Sequence, residues 1–282
     1  MMNKEQKKNY ISEMEVQFQN NESVLVTHYQ GLTMPQLDEL RAQMREKGII
    51  FKITKNRITK MAHSDSFIPY EAQRISGKES AKRSADYRAY MDQRRSIRFF
   101  SNKPVSEEVI KNLIMAASTA PSGAHKQPWT FCAVSNSEIK TAIRKAAEEE
   151  EYKSYHGRMS EEWIEDLKPF GTDWHKEFLT VAPWLIIVFK KAFDYDGEEK
   201  RKNYYVNESV GIAAGILISA IHNAGLVTLT HTPSPMNFLQ KILERPDNER
   251  PFLLLPIGYP IDDAVVPLLE RKNEQEVIKY YK

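Results

Sequence analysis

Arg94-Arg95-Ser96-Ile97-Arg98 packs three guanidinium groups and a hydroxyl into five residues. Each guanidinium presents a planar fork of N–H donors that phosphate or ring oxygens accept in pairs, and Ser96 adds a further polar group. After one intervening helix comes Ala120-Pro121-Ser122-Gly123-Ala124-His125-Lys126-Gln127-Pro128-Trp129. Its Pro-Ser-Gly-Ala turn lacks bulky side chains, so its backbone amides can approach a ligand closely, with Gly123 free to take positive φ. Together the two stretches read as a cradle for the phosphate and ring of a bound ligand. Each alone also fits a basic surface turn or an ordinary loop.

The elements that must position these residues follow from the hydrophobic pattern. Pro104 and Ser106 open a helix with Val109, Ile110, Leu113 and Ile114 inward, and Trp129 to Val134 forms a strand. Ser135-Asn136-Ser137-Glu138 predicts a capping box that starts a helix through Ile139 and Ile143 to Glu151. Beyond it a polar, irregular region extends to Glu177. Trp184 to Phe189, Val227 to Thr230 and Phe252 to Ile257 are apolar runs of strand length. Between them lie a long apolar helix, Val210 to Ile221, and a shorter one containing Phe238, Leu239 and Ile242. Strands alternating with helices predict an α+β or α/β sheet covered by helices.

The front of the chain has its own pattern. A polar helix is followed by a strand, Ser23 to Tyr29, and a capping box, Thr33 to Gln36, opens a helix that carries Leu37 and Leu40 and ends at Gly48. Ile49 to Ile53 reads as a second strand, followed by Lys55, Arg57 and Lys60. From His63 to about Ala81 the pattern lapses into a linker or wrapping extension. The division is therefore 1–62 for an incomplete βα unit, 63–90 for the linker and extension, and 91–282 for the main domain.

Composition bounds the function. The chain has 282 residues, 41% hydrophobic and 28% charged, with a net charge of +2, so no overall field favours nucleic acid or an anionic membrane. The single cysteine, Cys132, excludes an intramolecular disulfide and a cysteine-based zinc cluster, and fits a reducing cytoplasm. The longest apolar stretch is shorter than the ~20 residues a membrane span needs, and the charged N-terminus predicts no export. No metal-ligand spacing and no Gly-x-Gly-x-x-Gly turn occurs.

From about Phe67 onward the residues resemble the flavin-dependent nitroreductase superfamily, and within it the iodotyrosine deiodinase branch. The resemblance rests on the two stretches above, on Gly157-Arg158-Met159, Trp163 and Asp166-Leu167, and on Thr172-Asp173-Trp174-His175-Lys176. It continues through Asn223-Ala224-Gly225-Leu226, Thr230-His231-Thr232-Pro233, Leu255 to Pro260 and Arg271-Lys272. It implies a homodimer with FMN at the subunit interface. Arg94, Arg95, Ser96 and Arg98 would hold the phosphate, ribityl chain and ring edge, with Arg271 closing on the phosphate and Ser122 coming from the partner subunit. Thr230 would lie in the same cofactor stretch, and the Thr232 hydroxyl would meet the reactive ring nitrogen and favour one-electron steps.

The same resemblance implies a halotyrosine substrate, its ammonium on Glu151, its carboxylate on Lys176, a hydroxyl from Tyr155, and its phenolate oxygen on the Ala124 amide. Glu151 and Tyr155 are four apart, which predicts a shared helical face. His125 and His175 have no evident carboxylate partner in the sequence and read as structural or surface residues. The expected activity is reductive dehalogenation of halotyrosine by an electron donor yet to be identified. The rival is a general nitroreductase or quinone reductase of the same fold. Residues 3–62 resemble the beginning of the bacterial ribosomal protein that anchors the large-subunit stalk, which raises a second alternative, an rRNA-binding protein. Against it, Lys52, Lys55, Arg57 and Lys60 form a short basic patch of the kind that is ordinarily just solvated.

Overall fold

The computed structural model describes residues 33–49 and 72–282, together with 6, 9–13, 16 and 70. The chain divides into two units, Met1–Gly77 and Lys78–Lys282. In the first, residues 6, 9–13 and 16 are helical, and helix α1 spans Met34–Glu46. Gln36 Oε1 accepts the Thr33 N–H at 2.9 Å, which satisfies one of the orphan donors at the helix start. At the other end Gly48 takes φ +69°, so that its N–H reaches Arg45 O at 3.0 Å and Ile49 N–H reaches Met44 O at 2.9 Å. Leu37 is buried and Leu40 half-buried, as the spacing predicts. The expected strand Ser23–Tyr29, the strand after Ile49, and Lys52, Lys55, Arg57 and Lys60 lie outside the described residues.

The second unit opens on α2, Gly77–Asp92, a helix that sequence patterning leaves inside the linker. It buries no side chain to form an apolar stripe; ion pairs at i,i+4 support it, Arg83 to Glu79 at 2.7 Å and Lys82 to Asp86 at 2.9 Å. The remaining helices are α3 (Glu107–Ala117), α4 (Ser137–Lys153), α5 (Glu161–Leu167), α6 (Phe178–Val181), α7 (Val206–Asn223), α8 (Asn237–Ile242) and α9 (Glu274–Val277). The strands are β1 (Trp129–Val134), β2 (Trp184–Lys191), β3 (Phe193–Asp196), β4 (Glu199–Lys202), β5 (Val227–Thr228) and β6 (Glu249–Gly258).

The main sheet has the order β1-β2-β6-β5 with every pairing antiparallel, which makes the fold α+β. Alternation along β2 divides the core. Ile186 and Val188 pack with Ile110 and Leu113 of α3 and Val210, Ala213 and Leu217 of α7. Leu185, Ile187 and Phe189 pack with Ile143 and Ala147 of α4, Leu179 of α6 and Leu239 of α8. Both faces of the sheet are thus covered, and residues two apart in β2 serve the same layer.

Two expectations need correction. The helix after Ser135 is capped by Asn136, whose Oδ1 accepts the Glu138 and Ile139 N–H groups at 2.9 Å each. The cap falls one residue later than Ser135 and places Ile139 at N3, so the capping box with Glu138 does not form. The strand expected through Thr230 pairs regularly only to Thr228, and the ladder resumes at His231–Leu254. The interruption lies opposite Pro256, which has no N–H to donate. Sequence reading also passes over the β3–β4 hairpin and α5; the latter is a seven-residue helix capped by Ser160, too short for a clear period.

Candidate functional site

Residues 94–98 leave α2 and run along the edge of the sheet. The Ile97 N–H bonds Thr228 O at 3.2 Å, and buried Ile97 anchors the segment. Beside it, Arg94, Arg95, Ser96, Arg98, Phe170 and Arg271 help line a cavity of about 270 Å³. Arg271, more than 170 residues away in the sequence, is brought in by hydrogen bonds from Nη2 to Arg94 O at 3.2 Å and from Nη1 to Asp92 Oδ1 at 2.7 Å. The Arg95 guanidinium donates to Pro267 O, and Arg98 lies 5.7 Å from the Phe170 ring centroid. Burial, then the charges of Arg271 and Arg95, push the Arg94 pKa down. A phosphate would relieve that repulsion and accept the free donor forks, so the residues present fit a phosphate-bearing ligand.

A second group gathers where α4 ends. Glu151 sits in its last turn, and Tyr155 lies just beyond, in a wider π-helical turn, Ser154–Arg158. Both converge on Lys176. Lys176 Nζ is 3.4 Å from Glu151 Oε2 and 5.7 Å from the Tyr155 ring centroid, and the Tyr155 hydroxyl donates to Thr172 O at 3.3 Å. The Lys176 and Glu151 side chains are 5% and 12% exposed, so this is a largely desolvated ion pair. Burial raises the Glu151 pKa against the pull of Lys176, and lowers the Lys176 pKa against the pull of Glu151. Each charge would gain from a further opposite charge. An amino acid, with an ammonium and a carboxylate on one carbon, offers both.

The loop after α3 does not join the arginine cavity. The Ser122 Oγ accepts the Gln127 N–H at 2.8 Å, and neither Ser122 nor Ala124 lines that cavity. Gly123 is not at positive φ; Ala124, His125 and Gln127 are, at 49°, 55° and 47°. Gly123 is required for a different reason. A Cβ there would lie 2.9 Å from Tyr204 O and 3.0 Å from Tyr205 Cδ2, so the close approach to the start of α7 needs glycine. Thr230 and Thr232 are exposed on either side of buried His231 and likewise lie off the cavity lining.

His231 is the residue that sequence reasoning misses. Its Nδ1 is 4.0 Å from Glu151 Oε1, its ring meets Phe178 edge-on at 5.5 Å, and its Nε2 is buried without a hydrogen-bond partner. Burial, reinforced by Lys176 and Arg98, pushes its pKa down to about 3, so the ring is neutral. The signal in the sequence was the alternation of Thr230, His231 and Thr232, which turns the middle residue inward on a strand. His175 also differs from expectation: its Nδ1 lies 3.1 Å from Asp173 Oδ2, a carboxylate two residues away on the same loop. Among the described residues, no three His, Cys, Asp or Glu side chains gather to hold a metal, and no helix is long and apolar enough to cross a membrane.

Comparison with known proteins gives two matches within the chain. The Nitroreductase family matches residues 91–259, and Ribosomal protein L10 matches residues 2–77. An iodotyrosine deiodinase of Haliscomenobacter hydrossis is 61% identical over 223 residues, which cover 78% of this chain and 100% of that one. The human iodotyrosine deiodinase 1 is 46% identical over 75% of this chain and 74% of its own length. The Danio rerio iodotyrosine deiodinase is 47% identical over 75% and 72%. Among solved structures, oxidized iodotyrosine deiodinase bound to FMN and 3-iodo-L-tyrosine superposes with a TM-score of 0.59 at 27% identity, over 69% of this chain and 98% of that one. A BluB-like flavoprotein from Clostridium difficile shares the fold, with a TM-score of 0.54 at 21% identity.

Proposed function

The chain belongs to the nitroreductase family and, within it, to the iodotyrosine deiodinases, and we propose that it removes halide from halogenated tyrosine in an FMN-dependent reduction. The observation that carries the substrate assignment is the buried Glu151–Lys176 pair, 3.4 Å apart, beside a guanidinium-lined cavity. FMN, when bound, supplies the reducing equivalents; the carbon–halogen bond breaks, a carbon–hydrogen bond forms, and an electron pair and a proton are consumed as halide leaves.

The chain's own residues bind, orient and exclude water. Arg94, Arg95, Ser96, Arg98 and Arg271 would hold the phosphate and the polar edges of FMN. Glu151 would take the substrate ammonium and Lys176 its carboxylate, with the Tyr155 hydroxyl as a third contact. Inserting the zwitterion replaces one desolvated ion pair with two, so the cost of burying Glu151 and Lys176 is already met before substrate arrives. Ser122 and Ala124 lie off the cavity of their own chain, which supports a homodimer in which the partner copy contributes them. The Ala124 amide would then favour the ionised phenol. Thr230 and Thr232, exposed beside His231, would face the cofactor ring, with the Thr232 hydroxyl donating to its reactive nitrogen. The single cysteine fits a reducing cytoplasm as the site of action, with a separate electron donor or reductase supplying the electrons.

The reading is tested with the FMN-loaded protein by iodide release from 3-iodotyrosine and from 2-iodophenol. Iodotyrosine should turn over and iodophenol, which lacks both zwitterion charges, should be a poor substrate. Equal turnover of the two would favour the rival, a general nitroreductase of the same fold.

A further inference from the structure

The spacing of the substrate clamp depends on how the loop bearing Lys176 is fixed against α4, the helix bearing Glu151. Lys140, Arg144 and Glu148 recur every four residues on α4, forming one stripe, and Glu151 lies a turn further along the same side. Each member of the stripe contacts the segment 176–182. Lys140 Nζ donates to Thr180 O at 3.0 Å and to Ala182 O at 2.8 Å, holding the carbonyl end of α6. Arg144 Nη1 donates to Thr180 Oγ1 at 3.1 Å. Glu148 Oε1 accepts the Lys176 backbone N–H at 2.7 Å and the Arg144 Nε–H at 2.7 Å. Phe178 and Leu179 add apolar contact with the Ile143 and Ala147 cluster. At Lys176 itself the polar latch takes over, because an open groove runs between α4 and this segment, bordered by Arg144, Glu148, Tyr152, Trp174 and Thr180.

We propose that Glu148 is a positioning residue for the substrate clamp: held by Arg144 and accepting the Lys176 N–H, it fixes the distance between the Lys176 ammonium and the Glu151 carboxylate. The inference rests on the clamp reading given above. Glu148 does not touch the substrate. Its carboxylate acts on the backbone of Lys176, one helical turn before Glu151, so the two charges of the clamp are set by one rigid element rather than by a loop.

The test compares affinities of the FMN-loaded protein for 3-iodotyrosine and 2-iodophenol, read from quenching of flavin fluorescence. Glu148→Ala should weaken iodotyrosine binding about tenfold, the scale of one charge-assisted hydrogen bond, while iodophenol and FMN affinities stay within about twofold. Glu148→Gln keeps a carbonyl acceptor for the Lys176 N–H and should restore iodotyrosine binding to within about threefold. Equal loss for both ligands, loss of FMN or of the fold, no change at all, or a Gln variant as weak as the Ala variant would each overturn the proposal. Lys176→Ala in the same assay separates the two readings. If Lys176→Ala weakens iodotyrosine and iodophenol binding equally, the clamp itself is wrong; if it weakens iodotyrosine selectively and Glu148→Ala does not, the latch alone is wrong.

Discussion

At the scale of single residues, burial sets the chemistry of Glu151, Lys176 and His231. Withdrawal from water raises the Glu151 carboxyl and lowers the Lys176 ammonium and the His231 imidazolium, in each case by disfavouring the charged form. In the proposed clamp, binding of a substrate ammonium needs the Glu151 carboxylate. Because its pKa is raised, the carboxylate is lost at a higher pH than an ordinary glutamate as the solution is acidified. The affinity for iodotyrosine relative to iodophenol should therefore fall on the acid side, starting above the usual carboxylate range, and Glu151→Gln should abolish that limb. The variant itself should bind iodotyrosine more weakly by roughly 1.5–3 kcal/mol, with FMN affinity nearly intact. Titrating both ligands against pH checks this; an unchanged acid limb in Glu151→Gln would assign it to another group. His231 bears on stability instead. Its folded pKa of about 3 lies below the unfolded value of 6.5, so the unfolded chain takes up a proton first as pH falls. Stability should decline from pH 6.5 toward 3, by up to ~1.4 kcal/mol per pH unit, and His231→Gln should flatten that decline in denaturant unfolding at fixed FMN.

At the scale of elements, the loop between α3 and β1 carries backbone strain that its neighbours must hold. Ala124, His125 and Gln127 stand in the left-handed region, which costs a non-glycine residue ~1–2 kcal/mol. Gly123 meanwhile lies against the backbone of Tyr204, and its N–H points to Ser209 Oγ at 3.4 Å. The two neighbours should therefore respond in opposite directions. Gly123→Ala should destabilise the protein by about 1–3 kcal/mol, because the clash is with a carbonyl oxygen that cannot swing away. Ala124→Gly should leave stability unchanged or raise it by up to about 1 kcal/mol, since relief of strain outweighs the added chain entropy. Thermal unfolding of both variants decides the matter, and a shared direction of change would contradict this account of the loop.

At the scale of the molecule, every proposed site residue lies in the unit Lys78–Lys282, while the match to Ribosomal protein L10 covers residues 2–77. The bacterial deiodinase relative is matched along 100% of its length by 78% of this chain. Removal of residues 1–62 should accordingly leave FMN content and turnover within about twofold, the scale of changes remote from a site. A truncated protein that lost flavin or precipitated would make the first unit part of the enzyme's core. Sedimentation of the full-length protein addresses the proposed assembly: a homodimer is expected, since one chain alone leaves Ser122 and Ala124 off its own arginine cavity.

The sequence by itself determined the chain order of the main helices and strands of the sheet, because burial on both faces leaves continuous apolar runs of strand length and helical periods of three to four residues. Arg94 to Arg98 marked, by residue type and spacing alone, a segment able to bind a phosphate, whereas Glu151, Tyr155 and Lys176 stood out only through the family resemblance. Elements without such a period escaped sequence reading: α2 buries no apolar stripe and meets α7 through Tyr87 on Ser219 and Tyr90 on His222, and α5 is a seven-residue helix. Tertiary structure alone decided what those residues do to one another. Arg271 reaches Arg94 through hydrogen bonds between distant segments, Glu148 takes up the Lys176 backbone, and His231 is neutral because packing removes it from water. Distances across the fold and the loss of solvent around a charge are properties of packing: a local alternation can turn His231 inward, but which groups then surround it is set by segments distant in the chain.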